Sequence, residues 1–336
     1  MHLNFAAEFA HIPGTIAEVA SREVPVAALD IVNNASAVRI IAMGGSYNAA
    51  CAAVEAFLAR GVDARAELAS HALHAEGAPA DIDEAVILVS HSGTSVETIR
   101  AAERLRNMGS KSLICITNDT ASELAQLCDV IIDQALTPAT RVPFGPWITT
   151  YFTLYKLARA RAGQPAPDWS SCVRAAQSVL DALPAIVKLA PTAPSYIEFF
   201  GRGAFRATAE QGTLIAREIA RVPASAWESS TYRHGPIEAI SDNQLSIIFA
   251  ASEGRAAQLD SSFARALKDI VSNVIVVGPV DGDIPIDTND EFLPLVSLLV
   301  PAVISYAWGE AAGIPIGQFR YTSHSITDED NLVVEH

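Results

Sequence analysis

The sequence predicts an α/β chain of two tandem lobes, each a doubly wound parallel sheet with helices on both faces. Three observations carry that prediction. At 336 residues the chain exceeds the roughly 100 to 200 residues of a usual domain. Buried-type apolar runs are each followed by a Gly- or Ser-rich turn and then a helical pattern. The layout restarts after about 160 residues, a duplication of domains and not a short solenoid repeat. Half of the residues are hydrophobic and 18% are charged, enough to fill more than one core.

In chain order, Val38–Met43 reads as a buried strand, Gly44–Ser46 as a tight turn, and Asn48–Arg60 as an Ala-rich helix. Val86–Ser90 is a second strand, followed by the loop His91-Ser-Gly-Thr-Ser95 and a helix to Met108 with Ile99 and Leu105 on its apolar side. Ser112–Thr117 and Val130–Ile132 add short apolar runs, and their alternation with helices requires a parallel sheet covered on both faces. Helical patterns at 147–162 and 169–189, separated by Gly163-Gln-Pro-Ala-Pro167, read as the joint between lobes. Tyr196–Phe200 opens the second lobe, Gly201-Arg-Gly203 turns, and a helix follows over 205–221. Leu245–Ala251 and Val274–Val277 are two more strands, with the helical segment 256–268 between them. The lobes are set at 1–165, with a leading and a linker helix, and 166–336, with a C-terminal tail.

Composition narrows the functional class. A net charge of −15 without any Lys/Arg run argues against a nucleic-acid surface, while backbone amides and hydroxyls can still hold an anion locally. Cys51, Cys115, Cys128 and Cys172 are far apart in apolar stretches and read as small buried residues. No metal site is expected, because His71 and His74 lack a further acidic or cysteine partner nearby. The apolar stretch Leu293–Ile304 is short for a membrane span and contains Pro294 and Pro301, so neither membrane nor export is expected. Neither Gly-rich turn has the Gly-x-Gly-x-x-Gly spacing of a dinucleotide site, and no cofactor is expected.

Ligands of open parallel sheets bind beyond the carboxyl ends of the strands. Those ends carry Gly44-Gly-Ser46 and Ser90-His-Ser-Gly-Thr-Ser95, so Ser46, Ser90, Ser92 and Ser95 can together hold a phosphate at two helix starts. The alternative is that they are helix caps and turn residues. Glu218 lies at the edge of the stripe Ile215, Ile219, Val222, where apolar neighbours raise a carboxyl's pKa toward that of a useful general base; the alternative is an ion pair with Arg221. His234, before a Gly-Pro break, belongs to a turn and can face a ligand or simply cap and solvate.

These residues are similar to those of the tandem sugar isomerase (SIS) family, whose lobes are flavodoxin-like. The resemblance is to the isomerase half of glutamine-dependent glucosamine-6-phosphate synthase and to its deaminase and deglycase relatives. It rests on Gly44-Gly-Ser-Tyr47, Ser90-His-Ser-Gly-Thr-Ser95, Arg217-Glu218 and His234-Gly-Pro236. It implies phosphate and sugar contacts by Ser46, Ser90, His91, Ser92 and Ser95, proton transfer between C1 and C2 by Glu218, and ring opening or leaving-group protonation by His234. It further implies a cytoplasmic homodimer in which His234 reaches the partner's site.

The pattern departs from the synthase in three ways. The sequence begins at the isomerase segment, so a glutaminase is expected to be absent. His324, in Ser323-His-Ser-Ile-Thr327, stands in the place of the synthase's lysine and forms no comparable Schiff base. Arg141-Val-Pro-Phe-Gly-Pro146, with Val142 on the sugar side, replaces a small hydroxyl-rich loop. The expected substrate is therefore a hexose 6-phosphate bearing nitrogen at C1 or C2, with deamination, deglycation and aldose–ketose isomerisation as the possible outcomes. A non-catalytic sugar-phosphate-binding regulator is the alternative, and it would need the phosphate loops but neither Glu218 nor His234.

Overall fold

A computed structural model of the chain describes residues 5–74, 83–136, 144–279, 282–322 and 326–328. Two five-stranded sheets result. The first contains β1 (Ala37–Ala42), β2 (Asp63–Leu68), β3 (Glu84–Val89), β4 (Leu113–Thr117) and β5 (Val130–Asp133), in the order β2-β1-β3-β4-β5. The second contains β6 (Tyr196–Gly201), β7 (Ala224–Glu228), β8 (Gln244–Phe249), β9 (Val274–Gly278) and β10 (Ile284–Pro285), in the order β10-β9-β8-β6-β7. Every pairing is parallel. Both sheets wind outward from a central strand, first to one side and then to the other.

The central strands are buried from end to end, which is why they read as apolar runs: every residue of β1, β4 and β8 is buried. The edge strands β2 and β7 are not among the elements read from the sequence. Asp63-Ala-Arg-Ala-Glu-Leu68 is largely half-buried or exposed, and its polar side chains pair with neighbours instead of entering the core. Arg39 Nε meets Glu67 Oε2 at 2.7 Å, and Arg65 Nη2 meets Glu84 Oε2 at 2.8 Å.

The helix after β1 begins at Gly44, four positions before the expected start, because Gly44 takes a left-handed φ of +52° and turns the extended Met43 straight into helical backbone. The predicted helix over 169–189 is two helices, Ser170–Asp181 and Leu183–Leu189, interrupted at Ala182 before Pro184.

The chain forms two compact units. One comprises Met1–Ala17 with Asp168–Gln318, and the other Glu18–Pro167 with Phe319–His336. The terminal segments are thus exchanged between the sheets. The helix Phe144–Arg161 belongs to the first sheet's unit and packs along the helix Gly44–Leu58. On it Trp147, Tyr151 and Tyr155 stack at 5.6 and 6.0 Å, and the Arg60 guanidinium lies 5.1 Å above the Tyr155 ring. Lys156 of the same helix donates to the carbonyls of Val19 and Arg22 and is lowered to about 8 by burial.

The second unit is built on the helices Leu293–Ser297 and Leu299–Ala311. The apolar stretch is longer than the sequence reading set it. Leu293–Ala311, 19 residues of mean hydropathy 1.4, is long and apolar enough to cross a membrane by length and composition, and 83% of it is buried inside the protein. Its Pro294 carbonyl accepts from Thr208 Oγ1 at 2.9 Å, one of the ties that make it a core element.

Candidate active site

In the first unit, β1 and β3 are neighbours at the point where the winding reverses, so the crevice between their carboxyl ends is where a doubly wound sheet takes its ligand. Both expected loops open there. Ser46 is the third residue of the helix Gly44–Leu58, among the first amides of a helix, which have no partner within it. Ser90 is buried directly after β3, and its Oγ lies 3.1 Å from Ser95 Oγ. Ser92 Oγ accepts from Thr94 N at 3.2 Å and from Thr94 Oγ1 at 2.9 Å.

Neither helix start is capped by a side chain, although Ser95 occupies the capping position of the helix Val96–Asn107. The capping alternative is therefore not realised at Ser46 or Ser95, and the Ser95 hydroxyl is engaged by Ser90 within the loop instead. Gly93 makes the turn possible: its φ is +67°, and a side chain there would overlap Ser122 Oγ. The Gly93 carbonyl accepts from Leu124 N at 3.2 Å, which seats the loop on the short helix Glu123–Gln126. His91 directs Nδ1 at Gln134 Oε1, 2.8 Å away.

The second unit holds Glu218 and His234. The helix Ala204–Ile215 does not continue as an α-helix to 221; it widens into a π turn over Ala216–Ala220 and stops at Arg221, whose φ of +55° is left-handed. Gly309 explains the close packing at this turn, since a Cβ there would come within 2.9 Å of the Ile219 carbonyl. Ile215, Ile219 and Val222 are buried as expected. Glu218 is half-buried, its Oε2 has no hydrogen-bond partner among the described residues, and burial pushes it up to about 7 from 4.5. The alternative ion pair does not form: Arg221 donates to the Gln318 carbonyl at 3.2 Å, and Arg217 to the Ala224 carbonyl at 2.6 Å. An isolated, desolvated carboxylate on a widened helical turn is suited to take up and release a proton near neutrality.

His234 is exposed in a turn between the helix Ser229–Tyr232 and the 3₁₀ turn Pro236–Ala239, with Gly235 at a φ of +132°. The turn hangs from Tyr232, which is fully buried and donates to Glu198 Oε2 at 2.5 Å. Glu198 is a residue the sequence reading passed over. This buried carboxylate inside β6 also accepts from Gln244 Nε2 at 2.6 Å and Trp227 Nε1 at 3.2 Å. The available signal was an acid set alone in the apolar run Tyr-Ile-Glu-Phe-Phe. Val142 and His324 lie outside the described residues. Among the described residues no group of three or more His, Cys, Asp or Glu is placed to hold a metal.

Two tandem parallel sheets that each wind outward from a central strand, one of them with hydroxyl loops at its switch point, define a double-lobed α/β fold of the phosphosugar isomerase type. Residues 31–159 match the family model for the SIS domain. Its sequence is 24% identical over 273 residues to the glutamine–fructose-6-phosphate aminotransferase of Pyrobaculum aerophilum, covering 74% of this chain and 44% of that protein. It is likewise 24% identical over 313 residues to the corresponding enzyme of Sulfurisphaera tokodaii, covering 90% of this chain and 51% of that one. The chain thus spans about half the length of the curated relatives it matches. Among solved structures, glucosamine-6-phosphate deaminase from Thermotoga maritima superposes with a TM-score of 0.81 at 18% identity, covering 96% of this chain and 99% of that one. The C-terminal domain of the aminotransferase from Francisella tularensis gives 0.78 at 17% identity, covering 93% and 97%.

Proposed function

We propose that the chain is a phosphosugar enzyme that moves a proton between C1 and C2 of a hexose 6-phosphate bearing nitrogen at C1 or C2. Deamination, deglycation or aldose–ketose isomerisation follows from that shared step. The observation that carries the reading is Glu218: a half-buried carboxyl with an unpartnered Oε2, raised to about 7 by burial. The names of the proteins it resembles support it, since they include an aminotransferase acting on fructose 6-phosphate, a glucosamine-6-phosphate deaminase, and a tagatose-6-phosphate ketose/aldose isomerase from Escherichia coli of the same fold, with a TM-score of 0.76 at 17% identity, covering 96% of this chain and 95% of that one.

In this mechanism the loops at Ser46, Ser90, His91, Ser92 and Ser95 bind the 6-phosphate, using interactions remote from the reacting carbons to orient the open-chain sugar. The Glu218 carboxylate takes the proton from one carbon of the C1–C2 pair, leaving an enediol or enolamine, and returns it to the other. His234 assists ring opening or protonates the leaving group, supplied by the partner subunit of a cytoplasmic homodimer. The site needs neither metal nor nucleotide for this step.

The test is solvent-deuterium incorporation at C1 or C2, followed by NMR across a panel of hexose 6-phosphates, amino-sugar 6-phosphates and fructosamine 6-phosphates. Incorporation into one class, with release of ammonia, release of amino acid or isomerisation, identifies the outcome. Binding without exchange across the whole panel would instead mark a sugar-phosphate-binding regulator. Mixing inactive Glu218→Gln and His234→Ala subunits should restore part of the activity; confirmed subunit exchange without recovery rules out the shared site.

A further inference from the structure

The amide of Gln134 follows β5 by one residue and is 2% exposed. Its Nε2 lies 2.7 Å from Thr150 Oγ1 and 3.5 Å from the Pro146 carbonyl, both on the helix Phe144–Arg161. A carbonyl only accepts, so the nitrogen of the amide must face Pro146 and the oxygen must face His91. That oxygen, 2.8 Å from His91 Nδ1, in turn can only accept. We infer that Gln134 is a positioning residue that fixes His91 of the phosphate loop as the Nδ1–H tautomer and sets the plane of its ring. This inference rests on the reading of the first lobe as the phosphate-binding one.

The backbone of Gln134 is held as firmly as its amide. Its N–H donates to the Thr117 carbonyl at 2.8 Å, and its carbonyl accepts from Arg22 Nη1, while Arg22 Nη2 donates to the Ala135 carbonyl at 2.8 Å. His91 is tied to the same place from its own side, because its carbonyl accepts from Asn118 N at 2.9 Å and from Thr117 Oγ1 at 3.2 Å. The ends of β3, β4 and β5 are thereby joined around one imidazole. With the proton fixed on Nδ1, Nε2 enters any ligand contact as an acceptor while the ring is neutral, and as a donor only once the ring is protonated.

The test uses the full chain labelled with ¹⁵N at histidine, with the His91 ring assigned by the signals missing from His91→Asn. The expected result is an Nδ1–H ring in the wild type above the imidazole's titration, and the intrinsically preferred Nε2–H ring in Gln134→Leu. Gln134→Glu keeps an acceptor in place and should retain Nδ1–H. Inorganic phosphate, titrated against the same samples above the imidazole's titration, should bind about five- to tenfold more tightly to Gln134→Leu than to the wild type, because Nε2–H donates where the wild-type Nε2 only accepts. An Nε2–H ring in the wild type or in Gln134→Glu overturns the assignment, as does unchanged phosphate affinity in a folded Gln134→Leu. None of these readouts involves turnover, so a failure of the proposed reaction leaves the result interpretable. If Gln134→Leu does not fold, the wild-type and Gln134→Glu spectra decide.

Discussion

The two lobes share one strand topology and differ in what occupies the ends of equivalent strands. At β1 and β3 the loops carry serines and a histidine, and neither helix start is capped by a side chain. At the equivalent β6 and β8 the chain supplies its own ions. Arg202, in the turn after β6, holds Asp260 Oδ1 through Nε and Glu228 Oε1 through Nη1, both at 2.8 Å, and reaches Ser230 as well. Asp260 is fully buried and takes the Ala251 N–H of the loop after β8 at 3.3 Å; Glu228 takes the amides of Ser230 and Thr231 at 2.8 and 2.9 Å. The amides of Ala251, Ser230 and Thr231 are thus answered by carboxylates from within the second lobe, while the helix starts at Ala204 and Gly254 are, like those of the first lobe, without a side-chain cap. The comparison teaches that one topology can leave its switch point to a ligand or close it with an internal ion pair. The proposed anion site in the first lobe, in a chain of net charge −15, would rest on amides and hydroxyls and not on basic residues.

The proposed function puts proton transfer in the second lobe and phosphate binding in the first, and the sharpest way to break it is Glu218→Gln. Turnover is expected to fall by about 10² to 10⁴ while sugar-phosphate affinity persists, because only the base is removed. Wild-type deuterium exchange in that variant would refute the mechanism. Next in size is Arg202→Leu, which leaves Asp260 buried and unpaired. Urea unfolding should show a loss of about 3 to 5 kcal/mol, with phosphate affinity of the folded protein unmoved. A drop in that affinity would mean that the second lobe also binds the anion.

Ser46→Ala combined with Ser92→Ala should behave in the opposite way. Calorimetry is expected to give a 6-phosphate affinity about tenfold to a hundredfold weaker, with unfolding hardly changed, because bonds to a charged ligand are lost and no core packing is. Equal losses for the unphosphorylated sugar would remove the phosphate assignment. The smallest effect concerns pH. Since Glu218 is raised from 4.5 to about 7, the folded state holds a proton that the unfolded state has released between those values. Its contribution to stability is full below pH 4.5 and is lost as pH rises through about 7. Glu218→Gln should therefore gain on the wild type by about 1 to 3 kcal/mol between pH 5 and pH 8 in thermal melts. A constant difference across that range would show that Glu218 does not titrate there.

What could be read from the sequence follows burial. The strands at the middle of each sheet, such as Val-Arg-Ile-Ile-Ala-Met43 and the run ending in Ile-Ile-Phe249, are covered on both faces and announce themselves as apolar runs. The edge strands β2 and β7 do not, since a half-covered strand keeps polar residues and loses the run. The angular position of Glu218 was legible from its neighbours Ile215 and Val222. The π turn was not, because it depends on how closely a helix some ninety residues later, at Gly309, approaches the Ile219 carbonyl. Glu198 and Gln134 escaped for a related reason: their partners, Tyr232 and Gln244 in one case, His91 and Thr150 in the other, come from distant parts of the chain.

The exchange of the terminal segments sets a schedule for synthesis. Phe9 packs edge-on to Tyr306 with ring centres 6.4 Å apart, so a helix made early is completed by one made much later. At about 5 to 20 residues per second, that apolar face waits for some tens of seconds. The opposite delay falls on the Ser90–Ser95 loop: Val96 N–H, at the first turn after Ser95, finds its acceptor in the Ile326 carbonyl at 3.0 Å, made long after the loop itself. The first lobe can assemble its sheet early, yet the helix start beside its ligand loop is completed only when the second lobe has been made. A nascent chain arrested before Ile326 would carry the serines and lack that closing bond.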